Sequence, residues 1–278
     1  TPTDKRLTNL DEHLAAFPYV NGKLFEEPLP IASFNSRMRE ILSECSSLDW
    51  GKISPAIFGS MFQSVMNPEE RRNLGAHYTS EKNILKLIKP LFLDELQTEF
   101  QKVKSNKNKL AAFHQKLGNL KFLDPACGCG NFLIITYREL RLLELEVLKE
   151  LYGGQQVIGI DQIMLVDVDQ FYGIEYDEFP ARIAEVALWL MDHQMNLRIS
   201  EAFGMYYARL PLKKSATIVH GNALRTEWTD IVPKTELSYI LGNPPFVGSK
   251  LLKKEQREEM AEIFSKVDNG KILDYVAA

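Results

Sequence analysis

A chain of 278 residues with a hydrophobic share of 45%, 25% charged residues and a formal net charge of −4 has the balance of a packed globular protein with one large domain, or one plus a small accessory. No apolar run reaches the ~20 residues of a membrane span and no secretion signal is present, so the expected setting is cytoplasmic with no membrane partner. Three cysteines point to a reducing compartment and against a disulfide framework, and the acidic balance does not announce a nucleic-acid binder.

The chain opens at Thr1 and stops at Asp274-Tyr275-Val276-Ala277-Ala278, which reads as the start of an element, so a piece excised from a longer chain is expected. Residues 1–75 read as a mainly helical N-terminal or connector region, interrupted by Pro18, Pro28, Pro30, Pro55 and Pro68. Asn21-Gly22 between apolar pairs suggests a small hairpin. Apolar spacing at Met38, Ile41 and Leu42, and again at Ile57, Phe58, Met61, Phe62 and Val65, predicts two amphipathic helices. The run Asp11-Glu12-His13 does not share one helical face and makes no metal site. Gly75-Ala76-His77-Tyr78-Thr79-Ser80-Glu81 then leads into a helix carrying Ile84, Leu85, Leu87 and Ile88, with Thr79 or Ser80 as cap and free N–H groups suited to a small anion such as a carboxylate. The lysine-rich stretch Gln101–Lys109 reads as an exposed connector.

The strongest signal lies at Leu120–Ile135. An apolar strand ends at Leu123 and Asp124, a turn carries Gly128 and Gly130, and a long helix runs on through Leu148. Glycines there let the backbone approach a cofactor. A nicotinamide fingerprint needs a third glycine where Leu133 stands, and the acid spacing also fails. A lone acid at the strand end instead suits the cationic head of S-adenosylmethionine. Cys127 and Cys129 are too close together, and too poor in partners, for zinc. After an insert over about 150–170, Phe171–Glu175 reads as a second strand ending in an acid that suits ribose hydroxyls, with Tyr176 able to cover an adenine ring. Pro180 starts the next helix, and His193 near its end reads as a surface residue compatible with the helix dipole. Ala216–His220 is a third strand, and Asn222 after it is placed to read an adenine edge.

A fourth strand, about 238–242, ends in the loop Leu241-Gly242-Asn243-Pro244-Pro245-Phe246. Successive prolines hold the preceding residues extended, so the Asn243 amide and the Pro244 carbonyl become rigid acceptors for the two hydrogens of an amino group. Phe246 offers a flat face on which a planar base can stack. Just beyond it Lys250, Lys253, Lys254 and Arg257 form a basic cluster, which reads equally as a solvated face or a phosphate contact.

In this order, Gly75–Ser80, Asp124–Phe132, Glu175, Gly221–Leu224 and Asn243–Phe246 resemble motifs X, I, II, III and IV of class I methyltransferases acting on DNA adenine, in the gamma arrangement. The likeness extends to Phe17–Gly22, Ile53–Gly59 and Val168–Glu175 and is similar to the MmeI-like, type IIL restriction-modification enzymes. It implies an α/β fold: a class I, Rossmann-like sheet over residues 76–278, incomplete at its carboxyl end and truncated before its last strands and the target-recognition domain. It implies S-adenosylmethionine as cofactor, held by His77, Tyr78, Thr79, Asp124, Ala126, Gly128, Gly130, Phe132, Glu175, Tyr176, Asn222 and Ala223. The implied catalytic residues are Asn243, Pro244, Pro245 and Phe246. The implied partners are double-stranded DNA and the nuclease and target-recognition domains of the same longer chain. Asn222 stands where many relatives have Asp, leaving an acceptor without a charge, and Cys129 replaces a common Ser.

The implied chemistry is direct transfer to N6 of a flipped-out adenine, with no metal and no covalent intermediate. Neither cysteine sits in the Pro-Cys arrangement of a cytosine-C5 nucleophile. Transfer to another planar nitrogen (cytosine N4, an RNA amine or a protein glutamine amide) remains an alternative, as does a catalytically silent cofactor-binding or interaction fragment. Because only four strands are legible, the isolated piece is expected to bind cofactor weakly or not at all and to methylate nothing.

Overall fold

Four short strands with apolar side chains on both faces set the frame, as a parallel sheet covered by helices requires. The computed structural model describes residues 9, 33–49, 52–65, 79–153, 163–204, 216–245 and 252–265. In chain order these form α1 (Ser36–Ser47), α2 (Ile57–Val65), α3 (Glu81–Ile88), α4 (Asp94–Val103), α5 (Lys107–Asn119), β1 (Phe122–Asp124), α6 (Asn131–Tyr152), β2 (Phe171–Glu175), α7 (Glu178–Phe203), β3 (Thr217–His220), the short α8 (Trp228–Ile231), β4 (Tyr239–Ile240) and α9 (Lys254–Ile263). The expected hairpin at Asn21-Gly22 lies outside the described residues. None of the described helices is long and apolar enough to cross a membrane.

The sheet order is β3-β2-β1-β4, and every pairing is parallel. Thus β1, β2 and β3 step outward in one direction while β4 lies on the other side of β1. The reversal places the topological switch point between the carboxyl ends of β1 and β4, where open α/β sheets bind ligands.

Register fixes which side chains meet. Phe122 aligns with Phe171 on one side and Tyr239 on the other, and the three rings stack in a row with centroids 5.2 and 5.5 Å apart. Phe92 closes this row from the helical layer, 5.2 Å from Phe122 and 5.0 Å from Tyr239. Leu123, Tyr172, Ile174 and Val232 form a smaller cluster on the opposite face.

Two sequence expectations are corrected. The Gln101–Lys109 stretch is no simple connector: α4 continues to Val103, and α5 begins at Lys107 behind an Asn106 cap whose side chain accepts from the Lys109 N–H at 3.1 Å. Leu110, Phe113 and Leu117 of α5 are buried, so its apolar stripe overrides the lysines at its start. His193 is not near a helix end, because α7 runs ten residues further, to a Gly204 cap with φ 64°.

Between α3 and α4 the helix passes Pro90 through a π-turn, Lys89–Leu93, which absorbs the missing donor without breaking the element. Both predicted N-terminal helices are present as α1 and α2. The Ile53 carbonyl ahead of α2 accepts from the Gln194 side chain of α7 at 2.7 Å, which fastens this region to the sheet's helical layer.

A buried polar network that the sequence does not announce joins α5, α6 and α7 to the approach to β2. Arg141, 1% exposed, donates to the Val166 carbonyl and the Asn196 side chain, each at 2.8 Å. Glu144 accepts from the Leu165 and Val166 N–H groups at 2.7 and 2.9 Å and pairs with His114 at 2.9 Å. The Gln170 side chain donates to the Leu117 and Leu120 carbonyls at 2.9 and 2.7 Å, tying the start of β2 to the end of α5.

Candidate active site

β1 delivers Asp124 to the switch point. Its carboxylate is 1% exposed; Oδ1 accepts from the Ala126 N–H at 3.0 Å, while buried Oδ2 has no hydrogen-bond partner. Burial pushes its pKa up to about 7, the Ala126 bond opposes this, and the nearby Glu175 charge adds to the rise. A buried carboxylate oxygen without a partner is costly unless a cation or donor arrives.

The turn beyond Asp124 is built on glycine. Gly130, at φ 82°, begins α6 and lies so close to α7 that a Cβ would sit 3.0 Å from the Ala184 Cβ. The Gly128 N–H donates to Glu175 Oε2 at 2.7 Å, and the Asp177 N–H donates to Oε1 at 3.0 Å. Burial, the largest influence, raises the Glu175 pKa, and these backbone bonds lower it. Glu175 thus clamps the turn against the end of β2 and keeps further acceptor capacity on both oxygens. Tyr176 beside it is 64% exposed, leaving its ring face open.

Gly242 brings the last loop in. The Leu241 N–H donates to the Leu123 carbonyl at 3.0 Å, extending the β1–β4 pairing, and the Gly242 backbone then lies directly on Asp124. A Cβ at 242 would meet Asp124 Oδ1 at 2.4 Å, so only glycine allows this approach. The next residue, Asn243, donates from Nδ2 to Thr79 Oγ1 at 3.0 Å. The Thr79 hydroxyl therefore holds Asn243, while Ser80 occupies the cap position of α3 without a side-chain bond.

Among the other predicted residues, Pro244 is exposed and Pro245 half-buried. Phe132 is buried in the main core, and the Ala223 carbonyl accepts from Trp228 Nε1 at 2.8 Å. Asn222 has its amide engaged at both ends, taking the Leu224 N–H on Oδ1 at 2.9 Å and donating from Nδ2 to Glu259 at 2.7 Å. His77, Tyr78 and Phe246 lie outside the described residues. The structure thus brings Asp124, Gly128, Glu175, Gly242, Asn243 and Thr79 to the carboxyl ends of β1, β2 and β4. Sequence reasoning missed Glu259, which sits in a charge-rich helix with no motif around it. It also gave no role to Gly242, although a glycine between a strand and Asn-Pro-Pro is a signal of close backbone approach.

Residues 100–278 match the family model described as MmeI, DNA-methyltransferase domain. The chain belongs to the MmeI DNA-methyltransferase family. Its four-stranded parallel sheet behind a helical N-terminal region fits the class I methyltransferase fold. This MmeI-family chain is similar over its full length to the solved type IIL restriction-modification enzyme MmeI in complex with DNA, at 62% identity and a TM-score of 0.89, and covers 37% of that protein. It is 45% identical over 275 residues to DNA methyltransferase A of Bacillus subtilis strain 168, covering 97% of this chain and 31% of the relative. It is 26% identical over 237 residues to a putative type II restriction enzyme and methyltransferase of Methanocaldococcus jannaschii, covering 68% of this chain and 20% of that one. The chain therefore spans between 20% and 37% of the length of these three proteins.

Proposed function

We propose that this chain is the methyltransferase part of a restriction-modification enzyme, transferring a methyl group from S-adenosylmethionine to N6 of an adenine flipped out of double-stranded DNA. The observation that carries the reading is the approach of the Asn243 loop, through Gly242, to a buried Asp124 whose Oδ2 lacks a partner. The residues present fit the cofactor. Asp124 would supply an anion for its cationic head, Glu175 would supply acceptors for its ribose hydroxyls, and the Asn222 loop would hold its adenine. When bound, S-adenosylmethionine would supply an electrophilic methyl group on a sulfonium.

The chain's own residues supply the rest. Adenine N6 is a poor nucleophile because its lone pair is delocalised into the ring. Asn243 Oδ1 and the Pro244 carbonyl each accept one N6 hydrogen, which favours a pyramidal nitrogen with its lone pair localised. Thr79 fixes the Asn243 amide by accepting from its nitrogen. The gain lies in orientation and preorganised electrostatics, worth about 100-fold or more for one such contact.

The test is methyl transfer from isotopically labelled cofactor to double-stranded DNA by the longer enzyme of which this chain is the proposed methyltransferase part, with the product nucleosides identified. The expected product is N6-methyladenine, with a rate lowered about 100-fold or more in Asn243→Ala. Label in N4-methylcytosine, or none in DNA, refutes the reading.

A further inference from the structure

The loop after β3 and the helix that follows the Asn-Pro-Pro loop meet through one buried carboxylate. Glu259 of α9 is 8% exposed, and its Oε1 accepts from Asn222 Nδ2 and Arg225 Nε, each at 2.7 Å. At its other end the Asn222 amide takes the Leu224 N–H on Oδ1 at 2.9 Å. The two ends of a primary amide are alike in shape, so only hydrogen-bond partners decide which faces which way. An ionised carboxylate accepts and cannot donate; a backbone N–H donates and cannot accept. Glu259 and Leu224 therefore hold the amide in one sense, with a lone pair remaining on Oδ1.

The geometry points to Glu259 as a positioning residue for the purine of the methyl donor: by locking Asn222 it makes this loop an acceptor, which selects a 6-amino over a 6-oxo purine. The inference deepens the cofactor reading above and rests on it. An aspartate at 222 needs no lock, since both of its oxygens accept. An asparagine does, and Glu259 provides it from a different element, with Arg225 bound to the same oxygen.

Calorimetric titration of the longer enzyme that contains this chain with S-adenosylhomocysteine and with S-inosylhomocysteine reads the selectivity as a ratio of two Kd values. The wild type is expected to prefer the adenosyl ligand. Glu259→Ala is expected to lower that preference, by up to about tenfold, because the amide is then held by the Leu224 N–H alone and, on leaving that one bond, can turn its nitrogen toward a 6-oxo group. Glu259→Gln, whose carbonyl still accepts from Asn222, is expected to retain most of the preference. A purely structural role would weaken both ligands alike and leave the ratio unmoved. Should Glu259→Ala not fold, Asn222→Asp provides an independent arm. It sets two carboxylates together and is expected to weaken adenosyl binding, with Glu259→Gln in the same background restoring it. A Glu259→Ala ratio equal to wild type, or wild-type affinity in Asn222→Asp, overturns the inference and leaves the cofactor reading standing. Failure of the wild type to bind S-adenosylhomocysteine overturns both.

Discussion

An asparagine amide can accept from a target amine only through its oxygen, and at position 243 Thr79 engages the nitrogen. The Thr79 hydroxyl accepts from Asn243 Nδ2 at 3.0 Å, which commits the nitrogen and leaves Oδ1 as the acceptor. Thr79→Val keeps the shape and removes the partner. It is expected to slow single-turnover methyl transfer about tenfold, in line with the loss of one hydrogen bond that orients Asn243, while the Kd for S-adenosylhomocysteine stays within about twofold of wild type. A normal rate with lost cofactor affinity would instead assign Thr79 to the cofactor alone. Gly242, just before Asn243, and Asp124, at the end of β1, are matched by size: the absent Cβ at 242 is what allows the Asn243 loop to lie on the acid.

At the scale of elements, the site depends on where β1 and β2 end, and the α5–α6–α7 network fixes the approach to β2. Arg141 is the central donor of that network and lies among Glu144, Asp192, Asn196 and the Val166 carbonyl. Removing one member of a buried, hydrogen-bonded charge network leaves the others uncompensated. Arg141→Ala is therefore expected to cost about 3–5 kcal/mol in urea unfolding. A cost below about 1 kcal/mol would show that the network contributes little to the position of β2.

The strands are legible in the sequence because short apolar runs ending in Asp124, Glu175 and His220 have few other readings, and Gly128 and Gly130 mark the turn. The network is not legible: Arg141 and Glu144 on α6, His114 on α5 and Asp192 on α7 look like ordinary charged helix positions until the helices pack. Local lysine density likewise hides α5, whose buried Leu110, Phe113 and Leu117 decide its state, whereas the continuation of α7 to Phe203 has a signal in the four-residue spacing of Met191, Met195, Ile199 and Phe203 and in Gly204 at the cap. The Asn243 loop and Asp124 are both visible as motifs. Their contact through Gly242 is not, because it depends on β4 lying beside β1 rather than at the end of a simple β1-β2-β3-β4 progression.

For the whole molecule, the sheet order puts one acid, one glycine-built turn and one asparagine at the same edge of the fold. Asp124 carries the consequence. Folding raises its pKa from 3.8 to about 7, so the stability linked to its proton is fully present below pH 3.8 and is lost as pH rises through about 7. Near neutrality the protonated and ionised forms are about balanced, and an incoming cation favours the ionised one. Cofactor binding should then expel a proton from Asp124 and strengthen as pH rises. The most direct measurement is calorimetric titration of the longer enzyme that contains this chain with S-adenosylmethionine across this range. The account predicts affinity rising roughly eightfold between about pH 6 and about pH 7.5, and a weak, pH-independent affinity in Asp124→Asn. Affinity that is flat over the range in the wild type, or wild-type affinity in Asp124→Asn, would contradict it.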